Sequence, residues 1–525
     1  MEHRMKIQPI VAILIALVLG WWLMKGEDTP AEAPVLHVLA GSELKDVEPL
    51  LPQLEKDTGV RLKLDYIGTL DGAEQLSQGA DYPLAWFSHA KYLELLSGMN
   101  ARIQAREKIA LSPVVIGVRQ SVARRFGWDA SPPSWREIGQ RAEAGELRFA
   151  MTNPTASNSG FSALIGLIAA LSSDPEGFTL TPAQQEEVKG FFKGQRLTAG
   201  SSGWLAESYT RDQERLDAIV NYESVLLQLN RGGQLKEPLT MIYPREGVVT
   251  ADYPLLLLDP AQRAAYDKVV AWFRQPGIQE RLMKETDRRP MLPTVPLDAR
   301  FKARDLIELP FPGQRSVVDR ILSSYLDEQR PVAHAFFVLD LSGSMQGERL
   351  AALKASLLNL MGADTSLTGQ FARFRAREQV TFLPFRDTVE TPNTIGLSTE
   401  AAIEGELESA RAYVRQFHAG GGTAVYAALA EAYRRVAEAR QAHPERYYSI
   451  VLMTDGVSNS GLDFDLFRAA YQALPPDVRV TKTFPILFGE SDNAAMHGLA
   501  ELTGGKVFDG SQNLAAAFKA IRGYQ

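Results

Sequence analysis

From Val35 onward the chain alternates short apolar runs with amphipathic stretches, and nothing else in it limits the fold so strongly. "VLHVLAG" (Val35–Gly41) has strand character, and "ELKDVEPLLPQLEKDTG" after it has helix character. "RLKLDYIG" and "YPLAWFSHAKY" carry two more strands, and "SPVVIGV", "LRFAMTNP", "DAIVNY" and "LTMIYP" extend the series. "SWREIGQRAEAG" begins a helix with Ser134 three residues before Glu137, the spacing of a capping box. Strand-length runs separated by helical patterns predict an α/β architecture. A chain of 525 residues has room for two to four such domains.

Open α/β sheets place ligands at the carboxyl ends of their strands, and several of these ends are rich in hydroxyls. They are "AGSEL" with Ser42, "IGTLDG" with Gly68 and Thr69, "WFSHA" with Ser88, and "TNPTASNSGFSAL" with Thr155, Ser157, Asn158, Ser159 and Gly160. The last precedes a helix, whose free N–H groups favour an anion; plain N-capping uses the same residue types. In order, these elements resemble a type 2 periplasmic solute-binding protein, the two-lobed clamshell of ABC importers. "AIVNYESVLL" and "YPREGVVTADYPLLLL" complete the series, which covers residues 35–305. The resemblance implies a cleft faced by Ser42, Ser88, Ser157, Ser159 and Tyr222. Glu223 beside Tyr222 departs from a simple anion pocket, and the lack of adjacent tyrosines within residues 35–305 departs from the ferric-ion pocket of some relatives.

Residues 306–330 read as a connector. "LPFPG" breaks the chain, and "RSVVDRILSSYLDEQR" predicts an amphipathic helix with Val317, Ile321 and Tyr325 on one side. The connector delivers the chain to "AFFVLDLSGSM", an apolar run that ends in Asp340, Ser342 and Ser344. Alone this is a weak signal, because Asp and Ser after a strand are ordinary caps. "HAGGGTAVYAALAEAYRR" adds Thr423 before a helix, and "YYSIVLMTDGVSNSG" adds a second strand ending in Asp455. Two carboxylates and three hydroxyls suit a hard cation, whereas zinc or copper would call for Cys or His. The pattern resembles the von Willebrand factor A (VWA) domain with its metal-ion-dependent adhesion site, over residues 331–525. The resemblance implies Asp340, Ser342, Ser344, Thr423 and Asp455 around Mg2+ (Mn2+ or Ca2+ being possible) and a protein partner that presents a carboxylate to the metal. A metal-free domain keeping these residues as caps is the alternative.

The N-terminus carries "IQPIVAILIALVLGWWLM", Ile7–Met24, without a charge. As a helix rising about 1.5 Å per residue it would span roughly 27 Å, near the thickness of a bilayer core. Arg4 and Lys6 precede it and Glu27, Asp28 and Glu32 follow, so the positive-inside rule puts the N-terminus in the cytoplasm. The expectation is a single-pass anchor and tether over residues 1–34, with the remaining domains on the periplasmic or extracellular side of the cytoplasmic membrane. A cleaved signal, using "AEA" at Ala31–Ala33, is the rival.

The expected fold class is therefore α/β: one N-terminal transmembrane helix, a periplasmic-binding-protein-like clamshell and a Rossmann-like VWA domain. A net charge of −7 argues against nucleic acid as a partner. The absence of cysteine excludes disulfides, thiol nucleophiles and thiolate metal sites. No enzyme is expected: the seven histidines are scattered, His418 being a polar position in the glycine loop, and "TGGKV" lacks phosphate-loop spacing. The implied role is an extracytoplasmic binding protein with a solute cleft and a metal-dependent protein-interaction domain. Alternatives are a tethered substrate-binding component of a transport system, or a factor in envelope stress or toxic-anion resistance.

Overall fold

The computed structural model describes residues 34–525, apart from 175, 303, 304 and 400. Three sheets organise it. The first runs in the order Arg61–Ile67, Val35–Gly41, Leu84–Trp86, Pro254–Leu257, Ala105–Lys108. The second runs Thr250–Ala251, Ala110–Arg119, Ala218–Tyr222, Phe149–Thr152, Gln195–Ala199, with Leu239–Ile242 and Arg289–Pro290 also pairing with Ala110–Arg119. The chain thus leaves the first sheet before Ala110 and returns at Pro254, which makes the two sheets the cores of two lobes.

The expected strands are present, and the Ser134 capping box forms in both directions. One element differs. The helix expected after Gly41 is a 3-10 stretch, Ser42–Leu50, followed by an α-helix, Leu51–Thr58. Pro49 lies inside the first piece and Pro52 at the start of the second, and proline removes a helical N–H donor.

The third sheet runs Asn393–Gly396, Gln379–Phe385, Ala333–Asp340, Tyr447–Thr454, Lys482–Leu487, Phe508–Asp509. It is parallel except for its first edge strand. Ala333–Asp340 and Tyr447–Thr454 lie side by side, and the order of connection reverses between them. This is a topological switch point, where sheets of this kind open a crevice. The connector forms the expected helix, Arg315–Ser324, with a wider turn over Tyr325–Gln329. Val317, Ile321 and Tyr325 are all buried, and the Tyr325 ring packs on Phe192 of the second lobe at 5.0 Å.

The expectation of a single-pass protein of the cytoplasmic membrane is corrected. Among the described residues no helix is long and apolar enough to cross a membrane. The segment on which that expectation rested, Ile7–Met24, lies outside the described residues.

Candidate functional site

Two places collect the residues singled out above. In the first, hydroxyls and an amide join the lobes. Ser88, just past the strand Leu84–Trp86, is fully buried and accepts from Asn158 Nδ2 at 2.5 Å and from the Tyr222 hydroxyl at 3.0 Å. Asn158 Nδ2 also donates to Thr69 Oγ1 at 2.7 Å. Ser88 and Thr69 belong to the first lobe, Asn158 and Tyr222 to the second. Ser159 Oγ lies 2.8 Å from Ser202 Oγ and 2.9 Å from Thr152 Oγ1, with Ser157 Oγ 3.4 Å from both Ser159 and Ser202.

Ser42 is exposed at the start of the 3-10 stretch and stands outside the hydrogen-bonded cluster, while the next residue turns inward. Glu43 has its Oε1 buried without a partner, and burial holds its carboxyl above the usual range. Arg288 stands nearby, bonded to Asp46 at 2.7 and 2.8 Å and to the Glu43 carbonyl at 2.8 Å. Glu223 does not disturb the cleft. Its carboxylate is held by Arg289 through two 2.7 Å bonds, and by the Tyr243 hydroxyl. Burial raises the Tyr222 phenol and lowers His89, beside Ser88, to about 3. The helices Thr69–Ser77, Asn158–Leu171, Ser202–Asp212 and Glu223–Arg231 all start at this cluster, and none has a side-chain cap. Capping is thus not what the Ser157 hydroxyl does.

The second place is the switch point of the third sheet. Parallel register sets Leu339 level with Met453, so Asp340 and Asp455 leave neighbouring strand ends. Both are fully buried. Asp340 accepts from Ser342 N at 2.8 Å and from Thr454 Oγ1 at 2.6 Å. Ser342 Oγ lies 3.0 Å from Ser344 Oγ, which donates to Asp455 Oδ1 at 2.7 Å. Arg349 Nη1 donates to Asp455 Oδ2 at 2.6 Å. Burial raises the Asp340 carboxyl, and the negative charge of Asp455 adds to the rise.

Thr423 arrives on the glycine loop. Gly343 N donates to the Gly421 carbonyl at 3.0 Å, Gly422 N to Asp387 Oδ1 at 2.8 Å, and Thr423 N to Asn459 Oδ1 at 2.8 Å. A Cβ on Gly456 would lie 3.6 Å from Ser344 Oγ and 3.9 Å from Thr423 Oγ1, so that glycine borders the same small space. His418 is exposed and within 3.1 Å of Arg386. Among the described residues no group of three or more His, Cys, Asp or Glu is placed to hold a metal; a cation here would depend on hydroxyls. Two buried carboxylates faced by one arginine leave a negative site lined with neutral oxygens, which fits Mg2+. Thr454, Arg349, Asn459 and Asp387 were not singled out from the sequence. Only Thr454, next to Asp455, carried a positional signal.

Residues 36–285 match the family model of the bacterial extracellular solute-binding protein, and residues 336–517 match that of the von Willebrand factor type A domain. The chain joins a solute-binding-like domain to a VWA domain. A curated relative, inter-alpha-trypsin inhibitor heavy chain H3 of Mesocricetus auratus, is 30% identical over 156 residues. That match takes in 29% of this chain and only 16% of the relative's length. Among solved structures, the periplasmic binding protein AfuA of Actinobacillus pleuropneumoniae is similar at 14% identity and TM-score 0.44, over 56% of this chain and 98% of that one. The apo ferric ion-binding protein A of Pasteurella haemolytica is similar at 12% and 0.44, over 56% and 97%. The sulfate-binding protein SubI of Mycobacterium tuberculosis is similar at 16% and 0.40, over 54% and 93%.

Proposed function

We propose that the protein is a binding protein with two sites: a clamshell cleft for a small polar solute, and a VWA surface that engages a protein partner through Mg2+. The units would be residues 35–305 and 331–525, joined by the connector 306–330. The observation that carries the metal reading is the hydrogen-bonded cluster of Asp340, Ser342, Ser344 and Asp455 at a sheet switch point, with Thr423 alongside. Asp340 and Asp455 would supply the compensating charge, and Ser342, Ser344 and Thr423 the neutral oxygens. Mn2+ or Ca2+ would use the same oxygen chemistry. A bound divalent ion there supplies an electrophilic position for an incoming carboxylate.

Metal-assisted hydrolysis would also need a general base beside the ligands. The polar neighbours Thr454, Asn459 and Arg349 are a hydroxyl, an amide and a guanidinium, and the further carboxylate, Asp387, is engaged in holding the glycine loop, so binding rather than catalysis is the better account. The solute reading draws on Ser88, Asn158, Ser159, Ser202 and Tyr222, and on four uncapped helix starts that favour acceptor oxygens on a ligand. A tethered transport component would use the clamshell alone and would leave the oxygen cluster of the VWA domain without a role.

Calorimetric titration with Mg2+ tests the metal half. Asp340→Ala removes one of two compensating charges, and affinity is expected to fall by at least about 100-fold, or about 2.7 kcal/mol, while the protein still melts cooperatively. Ser344→Ala is expected to cost about 10-fold, since water can fill the place of the lost oxygen. Equal affinity in the wild type and Asp340→Ala, both folded, would overturn the proposal.

A further inference from the structure

The VWA domain is docked on both lobes of the clamshell, at the rim of the cleft. On the first lobe, Glu74 of the helix Thr69–Ser77 accepts from the backbone N–H groups of Leu367 and Thr368 at 2.6 and 3.1 Å, and from the Thr368 hydroxyl. A side chain of the clamshell thus completes the first turn of the VWA helix Leu367–Ala372. Lys519, in the C-terminal helix Leu514–Arg522, stands 3.7 Å from both Asp71 and Glu74.

On the second lobe, the Tyr524 ring packs edge-on against Trp204 at 4.9 Å. It lies so close to Gly200 that a Cβ there would be 2.3 Å from the ring. Gly523 sits against Ala156, in the turn that carries Ser157. The carbonyl of Ala156 in turn lies 3.2 Å from where a Cβ on Gly68 of the first lobe would be. The end of the chain therefore covers the point where the lobes meet.

The two attachments differ in the apolar surface they cover. Trp204 and Leu197 of the second lobe share one apolar cluster with Phe484, Phe518 and Tyr524 of the VWA domain. The attachment to the first lobe combines one carboxylate, two N–H groups, a hydroxyl and a lysine with a smaller apolar contact, Phe371 and Leu367 joining the apolar cluster of the clamshell. Opening the cleft separates the lobes, so a domain fixed to both must release one. Breaking the first contact returns its polar groups to water and uncovers Leu367 and Phe371, whereas parting the second exposes the larger apolar cluster around Trp204 and Tyr524. Release falls on the first lobe.

We propose that the VWA domain is a latch on the clamshell: it moves with the second lobe, holds the first through Glu74, and keeps the cleft shut until that contact is released. The device rests on the solute reading only in what it admits; the opening itself is measured without solute.

Because the chain has no cysteine, Lys56→Cys on the first lobe and Gln140→Cys on the second, both exposed positions, give one spin-label pair. The distance distribution is read in the full chain and again with Glu74→Ala and Lys519→Ala. A single distance is expected with the latch intact, and a second, longer population once it is removed. If the double variant does not fold, Lys519→Glu, which sets a like charge against Asp71 and Glu74 from a partly exposed position, is expected to give the same second population. A long population already present with the latch intact, or one unchanged distance in the folded variants, overturns the latch. An open variant that binds no solute in a ligand screen contradicts the solute reading and leaves the latch standing.

Discussion

Arg349 and Asp455 set the charge at the proposed metal cradle. Arg349 contributes a positive charge at 2.6 Å from a carboxylate that a cation would also use, and like charges in a confined site raise each other's cost. Arg349→Ala is expected to tighten Mg2+ binding several-fold in the same calorimetric titration. Unchanged or weaker binding would mean that the arginine supports the site rather than competing for it. The clustering of Asp340, Ser342, Ser344 and Asp455 was legible because each sits at a strand end with an oxygen donor, in the order of a known pattern. Arg349 was not, since a basic residue early in a helix reads as solvated surface.

At the scale of elements, close packing and a buried ion network hold the site-bearing strands. The helix Asn158–Leu171 starts so near the strand Phe149–Thr152 that a Cβ on Gly160 would lie 2.2 Å from the Thr152 carbonyl oxygen. Gly160→Ala is therefore expected to destabilise the protein by about 1–3 kcal/mol in denaturant melts, by pushing Ser157 and Ser159 out of place. An unchanged midpoint would contradict that packing.

Beneath the third sheet, Glu378 is buried between Arg522, at 2.7 and 2.8 Å, and Arg330. Burial pushes its carboxyl up, but the two guanidinium charges prevail and hold it at about 2. The unfolded chain would titrate near 4.5. Native Glu378 thus binds its proton less readily than unfolded Glu378, and its contribution is full above pH 4.5 and lost as pH falls towards 2. Glu378→Gln should cost about 3–5 kcal/mol at neutral pH by leaving two buried guanidinium groups uncompensated. The gap from wild type in thermal melts should close between pH 4.5 and 2; a gap constant over that window would rule the ion network out as its source.

Across the whole molecule, the clamshell and the VWA domain are continuous, with one apolar cluster running from Leu197 and Trp204 to Phe484 and Tyr524. The two units could be read from local strand and helix patterns. Their docking could not, because Glu74 and Thr368 stand 294 positions apart and neither carries a local signal. The proposed metal cradle lies at the carboxyl ends of the VWA strands, while Arg330, Glu378 and Arg522 gather at the opposite edge, beside the clamshell. The cluster therefore faces away from the cleft. The most direct test of metal-dependent binding is capture of proteins from an extract on the immobilised full chain, in Mg2+ and in chelator, beside Asp340→Ala. The account predicts a partner retained only by the wild type and only in Mg2+. The same proteins retained in chelator, or on folded Asp340→Ala, would contradict it.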